Sequence, residues 1–519
     1  MASLNEDMKK KMREKGIDVD LSQKILDNYN AGKYDHFVPI KVSGIPAIDG
    51  KKVIDVTGDV KADFDASEIN TRLHDLGLKL EIESFGRLEN GRLYFDSKAL
   101  EKLGEELYPL VSYGVLNGGS ASSYVDLKKN KGFNETLFGI CEEYFDSVAQ
   151  VSKGKAKGIT PAFVNQDGSH GPTFLELKMR ALLIQALSYQ KKHPGATKAM
   201  GPMFQMTSVY NDDQVAEAYS EYAQSEGLKD LMAETGITIS DVVTGIQPML
   251  SAFTHSAEGK PKGFFTKAEG REGNPLPMPG GHGQNFIVLK EVYQKLYNQG
   301  IRYVYLGNVD NLGFTVNPLC LALLALSGKE AGFDFSFRTQ VDVKGGVLVT
   351  DQEGKLNCAD IGPAISKEEL FRVEKEGKAI LFNCATGLFN LEYLVKNIDA
   401  IIEGLPMRFT DQDKDAGKYS QAEQVTWEVI GILDDFMIFG VDKYTRFLAS
   451  KLLLEGLMTS GIGLDNPAFP TDPDPAKDLK GIAKKLSKGL ADKLQTIYGM
   501  KHKNRQWVYK SVDELKAEL

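Results

Sequence analysis

With 519 residues, 42% of them apolar and 26% charged, the chain has the make-up of a soluble globular enzyme or scaffold, and its length needs two or three domains. The net charge of −9 argues against nucleic acid as a partner, and no apolar run is long enough to cross a bilayer, which leaves no membrane role. The N-terminus, MASLNEDMKKKMREKG, lacks the apolar core of a secretory signal. Cys141, Cys320, Cys358 and Cys384 show neither a CxxC pair nor metal-ligand spacing, so the expected setting is the cytoplasm, with buried, unreactive thiols.

Residues 1–107 read as an accessory N-terminal region. Two helical patterns flank Gly16, β-type runs follow at 38–43 and 51–56, and no site chemistry stands out. The next stretch, YPLVSYGVLNGGSASS (108–123), is an apolar, β-branched run that breaks abruptly into Asn117-Gly118-Gly119. A buried strand ending in glycines bares backbone N–H groups that can close around phosphate or the edge of a base. Two adjacent glycines are also ordinary turn material. From Leu127 to Ile159 the chain is irregular and lysine-rich, and Lys157, just before Gly158, is a candidate to neutralise phosphate beside that turn. The stretch 173–193 is a strong helix, with Thr173 and Glu176 at capping-box spacing and lysines and a histidine in the last turn.

Residues 200–350 alternate β-like and helical runs, the pattern of an α/β sheet with crossovers. A strand at 202–208 leads to an acidic helix start at 211–214. A helix over 286–300 stops on Gly300, and IRYVYLGNVDN (301–311) is a strand with a polar end. A buried helix at 318–332 precedes strands at 333–340 and 345–350. A strand at 379–383 and a helix at 388–398 follow, then TWEVIGILDDFMIFG (426–440) and RFLASKLLLEG (446–456). The proline- and aspartate-rich 465–475 is a linker. Beyond it, 476–495 is a basic amphipathic helix, ahead of a mixed tail; such a helix can touch membrane or nucleic acid, and packing against the acidic body is the expected role. The expected division is 1–107, 108–460 and 461–519.

Ligands in open α/β sheets gather outside the carboxyl ends of strands, where Asn117, Met206, Asn308 and Asp310 all fall. A lone aspartate there can cap the next turn. Beside a triphosphate it is also the hard ligand that Mg2+ takes, since that ion keeps most positions for phosphate and water. Asn308 and Asn311 flank it with amides able to bond sugar hydroxyls. His282 lies between glycines in PMPGGHGQN (277–285), where little bulk shields its ring. Lys344 in DVKGG (342–346) and Lys451 in RFLASK (446–451) are further candidates for phosphate neutralisation. No Ser-His-Asp order and no Walker GxxxxGK[ST] occur. Phosphoryl transfer without a protein nucleophile needs only positioning, Mg2+ and positive charge.

LNGG (116–119), FQMTS (204–208), GGHG (280–283), NVDNLG (308–313), DVKGG (342–346) and RFLASK (446–451) stand in the order found in UTP–glucose-1-phosphate uridylyltransferases. Over about 108–456 the chain resembles that family and, more distantly, the UDP-N-acetylhexosamine pyrophosphorylases. The resemblance implies an α/β nucleotidyltransferase (Rossmann-like) fold, with a mixed, mainly parallel sheet flanked by helices and smaller N- and C-terminal regions. It implies a Mg2+-dependent enzyme making UDP-glucose and pyrophosphate from UTP and glucose 1-phosphate. The alternatives are the same chemistry on another sugar 1-phosphate, such as N-acetylglucosamine 1-phosphate, or a nucleotide-sugar-binding protein without catalysis. By the same resemblance Leu116, Asn117, Gly118, Gly119, Met206, Gln247 and Gly281 hold the nucleotide, with Met206 and Gln247 near uracil. His282, Asn308 and Asn383 meet the sugar phosphate, Asp310 binds the metal, and Lys157, Lys344 and Lys451 contact the phosphates.

Three departures accompany the resemblance. The glycine turn runs on as Ser120-Ala121-Ser122-Ser123 without the family's Pro-Lys, as if an insertion of several dozen residues stood before Thr173. The loop lysine is therefore Lys157, Lys155 or Lys131, with Lys157 preferred because Gly158 follows it. Gly280 and Gln284 alter the family's Pro-Pro-Gly-His-Gly-Asp, and no β-helix repeat is recognisable after residue 460, so no oligomeric state is inferred.

Overall fold

Eight strands form the spine of an eleven-stranded sheet in the computed structural model. Their order is Val53–Asp55, Phe436–Val441, Ala331–Phe337, Leu381–Asn390, Tyr303–Asn308, Val111–Leu116, Met203–Ser208 and Val243–Gln247. Leu381–Asn390 runs against both neighbours, and every other pair on this path is parallel. The parallel strands therefore all point one way, and their carboxyl ends share one edge. Gly346–Asp351, Leu356–Asp360 and Val42–Gly44 hang off the path as antiparallel strands, joined at Val347↔Phe382. The structure describes residues 5–519 except 36, 38–39, 340–341 and 343. The start of the 38–43 run, the last residue of the 333–340 strand and the second residue of DVKGG thus lie outside the described residues.

Both faces of the sheet are covered, which is why its strands read as near-continuous apolar runs. Tyr303 and Tyr305 enter one core with Tyr113, Val115 and Met203, whereas Val304 and Leu306 enter the other with Leu116, Phe204 and Met206. Helices Phe174–Lys192 and Pro318–Ser327 cover the first core; Lys290–Asn298 and Leu391–Gly404 cover the second. Side-chain caps set the starts of three of these helices: Thr173, Asn317 and Asn390 each accept a first-turn N–H. The Asn390 cap corrects the helix expected at 388–398. Leu388 and Phe389 still belong to the strand, pointing into opposite cores, and the helix begins at Leu391.

Both end regions build on this sheet, so it crosses the boundary expected at 107. Val53–Asp55 is an edge strand, and helix Ser97–Glu106 crosses Pro318–Ser327 with Gly104 at the contact. A Cβ on Gly104 would stand 1.8 Å from the Pro318 carbonyl oxygen. After residue 460, helix Leu479–Thr496 sends Leu490 and Leu494 into the first core, followed by the hairpin Met500–Lys503/Gln506–Tyr509 and helix Val512–Glu518. Among the described residues no helix is long and apolar enough to cross a membrane.

The stretch 127–159, expected to be irregular, contains helices Leu127–Phe133 and Glu135–Ser152. Its exposed lysines mask an apolar face: Leu137, Phe138, Cys141, Phe145 and Val148 pack with Leu453, Leu454, Leu457 and Met458. These two helices are therefore folded onto the segment that follows RFLASK.

Gly104→Ala should destabilise the protein by about 1–3 kcal/mol, the usual cost of overpacking a filled contact, because the obstacle is backbone rather than a flexible side chain. The urea midpoint measures this. An unchanged midpoint would mean that the two helices separate without cost.

Candidate active site

Where strand Val111–Leu116 ends, the glycine turn is pinned from below. Asn117 is fully buried: its N–H donates to the Met206 carbonyl at 2.8 Å, and its carbonyl accepts from Asn211 Nδ2 at 3.1 Å. Its Oδ1 accepts the Gly158 N–H at 3.2 Å, and its Nδ2 has no partner. A Cβ on Gly118 would come 3.0 Å from Gln247 Oε1, whereas one on Gly119 would meet nothing within 4 Å. The Gly119 carbonyl accepts the Lys157 N–H at 3.1 Å, so the chain returns to the turn after its inserted helices.

Lys157 lands on the metal candidate. Its ammonium donates to Asp310 Oδ2 at 2.5 Å and to the Ser450 carbonyl, and it lies 4.4 Å from the centre of the Tyr124 ring. Lys131 instead approaches Glu142, and Lys155 is exposed; of the three lysines, Lys157 is the one that reaches Asp310. Asn308 is half-buried at the strand end. Asn311 corrects an expectation, because it is fully buried and committed. Its Oδ1 accepts the Gly313 and Leu448 N–H groups, each at 2.9 Å, and its Nδ2 donates to the Arg446 carbonyl at 3.1 Å. It locks two loops together and has no amide left for a sugar.

A second cluster forms around Gln247, which is 5% exposed and donates to the Gly281 carbonyl at 2.9 Å and to Gln284 Oε1 at 2.7 Å. Gly281 has φ +79°, and a Cβ there would stand 2.3 Å from the Gln424 carbonyl oxygen, so glycine lets this turn close on 424–426. His282 Nδ1 accepts the Thr426 N–H at 3.1 Å. That backbone donor fixes Nδ1 as an acceptor and leaves Nε2–H as the ring's donor. Burial pushes the His282 pKa down to about 4. The ring is thus a neutral donor, suited to a phosphate or sugar oxygen. Leu116 and Met206 point their side chains into the second core, and Met206, 1% exposed, serves the turn through its carbonyl.

Asn383 lies near the start of the antiparallel strand. Its Oδ1 accepts the Ala385 N–H at 2.9 Å, and its Nδ2 meets Cys358 Sγ at 3.5 Å. Lys344 is exposed on the loop after Ala331–Phe337, and its neighbour Asp342 is buried against the Lys443 ammonium. Lys451 is also exposed, with its backbone N–H donating to Glu455 Oε2 at 2.8 Å. Lys157, Asp310 and Ser450 are therefore in direct contact, and Gly118, Gln247 and Gly281 form a second group. Among the described residues no hydrogen bond or ion pair links Lys344 or Asn383 to Asp310. Ser450 and Gln424 escaped the sequence reading because they act through carbonyls, which carry no residue signature.

Among the described residues no group of three His, Cys, Asp or Glu side chains could hold a metal by itself. Asp310 fits the different demand of Mg2+: a hard carboxylate with one oxygen engaged by Lys157 and the rest of the coordination left to phosphate and water.

Residues 265–459 match the family model described as UTP--glucose-1-phosphate uridylyltransferase. Through that segment the chain is similar to the UTP–glucose-1-phosphate uridylyltransferase family. The protein of that name from Hordeum vulgare is 28% identical over 236 residues, 43% of this chain and 49% of that protein. The one from Dictyostelium discoideum, numbered 2, is 34% identical over 117 residues, 22% of this chain and 23% of that protein. The chain spans about half the length of the curated relatives it matches. Its fold is shared with a UDP-glucose pyrophosphorylase variant from Leishmania major, at TM-score 0.53 and 16% identity over 88% of this chain and 79% of that one. A UDP-N-acetylglucosamine pyrophosphorylase from Trypanosoma brucei gives TM-score 0.52 at 16% identity, over 80% of this chain and 82% of that one. These likenesses show a shared mixed α/β fold.

His282 takes up a proton less readily folded than unfolded, so between pH about 6.5 and about 4 the unfolded chain binds more protons. Its contribution to stability is fully present above that window and is lost as the pH falls through it. Nitrogen-15 ring shifts should show the neutral Nε2–H form from about pH 8 to about pH 5. A ring titrating near its ordinary pKa would overturn the assignment.

Proposed function

We propose that the protein is a uridylyltransferase forming UDP-glucose and pyrophosphate from UTP and glucose 1-phosphate. The observation that carries this reading is the junction of Lys157, Asp310 and the Ser450 carbonyl. It joins the glycine turn, a strand-end carboxylate and the RFLASK segment at the carboxyl edge of the sheet. The names of the relatives and of the fold neighbours support the same reaction class. The buried free cysteines fit a reducing cytoplasm, and the core of the enzyme would be 108–460 with the end regions packed on it.

A divalent cation, Mg2+ in this reading, would be held by Asp310 and would supply neutralising charge at the phosphates. An oxygen of the sugar phosphate attacks the α-phosphorus of UTP in line; the bond to the β-phosphate oxygen breaks, and pyrophosphate leaves opposite. No protein nucleophile is needed, and catalysis rests on position and charge. Backbone N–H groups of Gly118 and Gly119 face the nucleotide over the floor of Leu116, Asn117 and Met206, while Gln247 and Gly281 shape the base side. His282 donates from Nε2 to a phosphate or sugar oxygen, and Asn308 and Asn383 contact the sugar. Lys157, Lys344 and Lys451 offset the repulsion between two anionic substrates. The fold shared with the Trypanosoma brucei protein keeps N-acetylglucosamine 1-phosphate as a second candidate sugar. Pyrophosphate release from UTP with a panel of sugar 1-phosphates decides between them, and no release with any sugar would sink the enzymatic reading.

Asp310→Asn keeps the shape and removes the charge. Turnover should fall about 10²–10³-fold, as when one transition-state stabilising group is lost, with an unchanged circular dichroism spectrum. Wild-type turnover at saturating Mg2+ would remove Asp310 from the reaction.

Lys451→Ala should lower turnover far more than it weakens UDP-glucose binding, because repulsion between the phosphates peaks in the transition state. Calorimetry beside the rate of UDP-glucose formation separates the two effects. Equal losses would make Lys451 a ligand-holding residue only.

A further inference from the structure

The loop that follows Asp310 rests on three side chains from outside the family-matched segment, one of them Tyr113, whose hydroxyl donates to the Phe314 carbonyl at 2.6 Å. Lys178, on helix Phe174–Lys192, is 1% exposed and among the described residues forms no ion pair; its ammonium donates to the carbonyls of Asn311 and Phe314, the latter at 2.7 Å, and to the Tyr498 hydroxyl at 3.3 Å. Tyr498, also fully buried, donates its own proton to the Leu312 carbonyl at 2.7 Å. The Tyr498 oxygen therefore accepts from Lys178, and all three ammonium protons are placed. Between them these groups hold the carbonyls of residues 311, 312 and 314.

A buried ammonium is costly unless every donor is met, and filling space does not require one. Leu175, Leu177 and Leu182 of the same helix already supply apolar bulk to this core, so the ammonium answers the loop carbonyls rather than a need to fill space. Tyr498 is itself fixed, because Arg180 on the same helix donates to its carbonyl at 2.8 Å, to the Gly499 carbonyl at 3.1 Å and to the Lys510 carbonyl at 2.9 Å. Two buried cations on one helix thus fasten the C-terminal segment, and one of them reaches on to the Asp310 loop.

We propose that Lys178 and Tyr498 are positioning residues, holding the 311–314 backbone so that the Asp310 carboxylate stands where a metal–nucleotide complex meets it. The proposal rests on the reading of Asp310 given above. It gives the C-terminal segment a part in the site that neither the motifs nor the matched segment assigns.

The test uses the full chain with Lys178→Met, Tyr498→Phe and a control, Tyr219→Phe, which loses a buried hydroxyl bonded to Gln205 at 3.1 Å, away from this loop. Amide hydrogen exchange of peptides covering 308–316 is read beside binding of Mn2+–UTP followed by electron paramagnetic resonance. Both variants should show faster exchange in that loop and about tenfold weaker Mn2+–UTP binding, the scale seen when an outer partner of a metal ligand is lost. The control should change neither. Should Lys178→Met fail to fold, the near-isosteric Tyr498→Phe carries the test alone. Wild-type exchange in Tyr498→Phe overturns the support of the loop, and faster exchange with unchanged Mn2+–UTP binding overturns its role in positioning. Wild-type protein that binds no Mn2+–UTP would instead refute the reading of Asp310, and the exchange data would still judge the loop's support.

Discussion

The buried guanidinium of Arg446 joins the parts from which the candidate site is made. Its Nε and Nη2 bond Asp334 Oδ2 on strand Ala331–Phe337, and its Nη1 donates to the carbonyls of Gly313 and Thr315 at 3.1 and 3.0 Å. Its own carbonyl takes the Asn311 amide. Replacing such a pair by apolar residues would cost little in stability, so its effect is geometric rather than energetic. It fixes the Asp310 loop against a central strand and against the start of RFLASK at the same time. Three residues earlier, Lys443 does the same for the loop bearing Lys344, through Asp342, whose other oxygen accepts the Thr339 N–H and hydroxyl, each at 2.8 Å. One short helix, Lys443–Arg446, therefore registers two strand-end loops with two buried cations.

A second brace comes from the inserted helices. The Tyr124 carbonyl accepts the Leu453 N–H at 3.0 Å, and Asn130 Oδ1 accepts the Leu454 N–H at 2.9 Å. Their shared apolar core then binds the residues after the glycine turn to the helix after Lys451. A turn that departs from the family's glycine loop thus still arrives at Asp310, because the long detour ends at Lys157 against the Gly119 carbonyl.

What could be read from the sequence was whatever depends on neighbours in the chain. The strands bearing Asn117 and Asp310 showed because both sheet faces are buried and their ends are polar. Thr173 showed because a cap acts within one turn. Lys157 was favoured on the strength of one following glycine, and the fold places its ammonium against Asp310. Asn311 was misread, and Lys178 and Arg446 went unread, for a common reason: their partners are mostly carbonyls or carboxylates more than a hundred residues away in the chain. The helix Glu135–Ser152 was lost among lysines, and the run at 388–398 fits strand and helix alike until the Asn390 cap divides it.

The same distinction bears on why a lysine and an aspartate can share the centre of the site. At 2.5 Å each is the other's counter-ion, and both are mostly shielded from water, with side chains 13% and 18% exposed. Either alone would be a poorly compensated charge; paired, the two compensate each other. Lys157 engages one Asp310 oxygen, so a ligand that competes for that contact leaves the other charge under-compensated. A lone anion would satisfy Lys157 and strand Asp310, and a lone cation would do the reverse. A metal-bound phosphate supplies both replacements at once, a cation for the carboxylate and an anion for the ammonium. In the proposed reading, the charge pattern of this junction suits a metal–nucleotide complex better than either component, before any base or sugar is recognised.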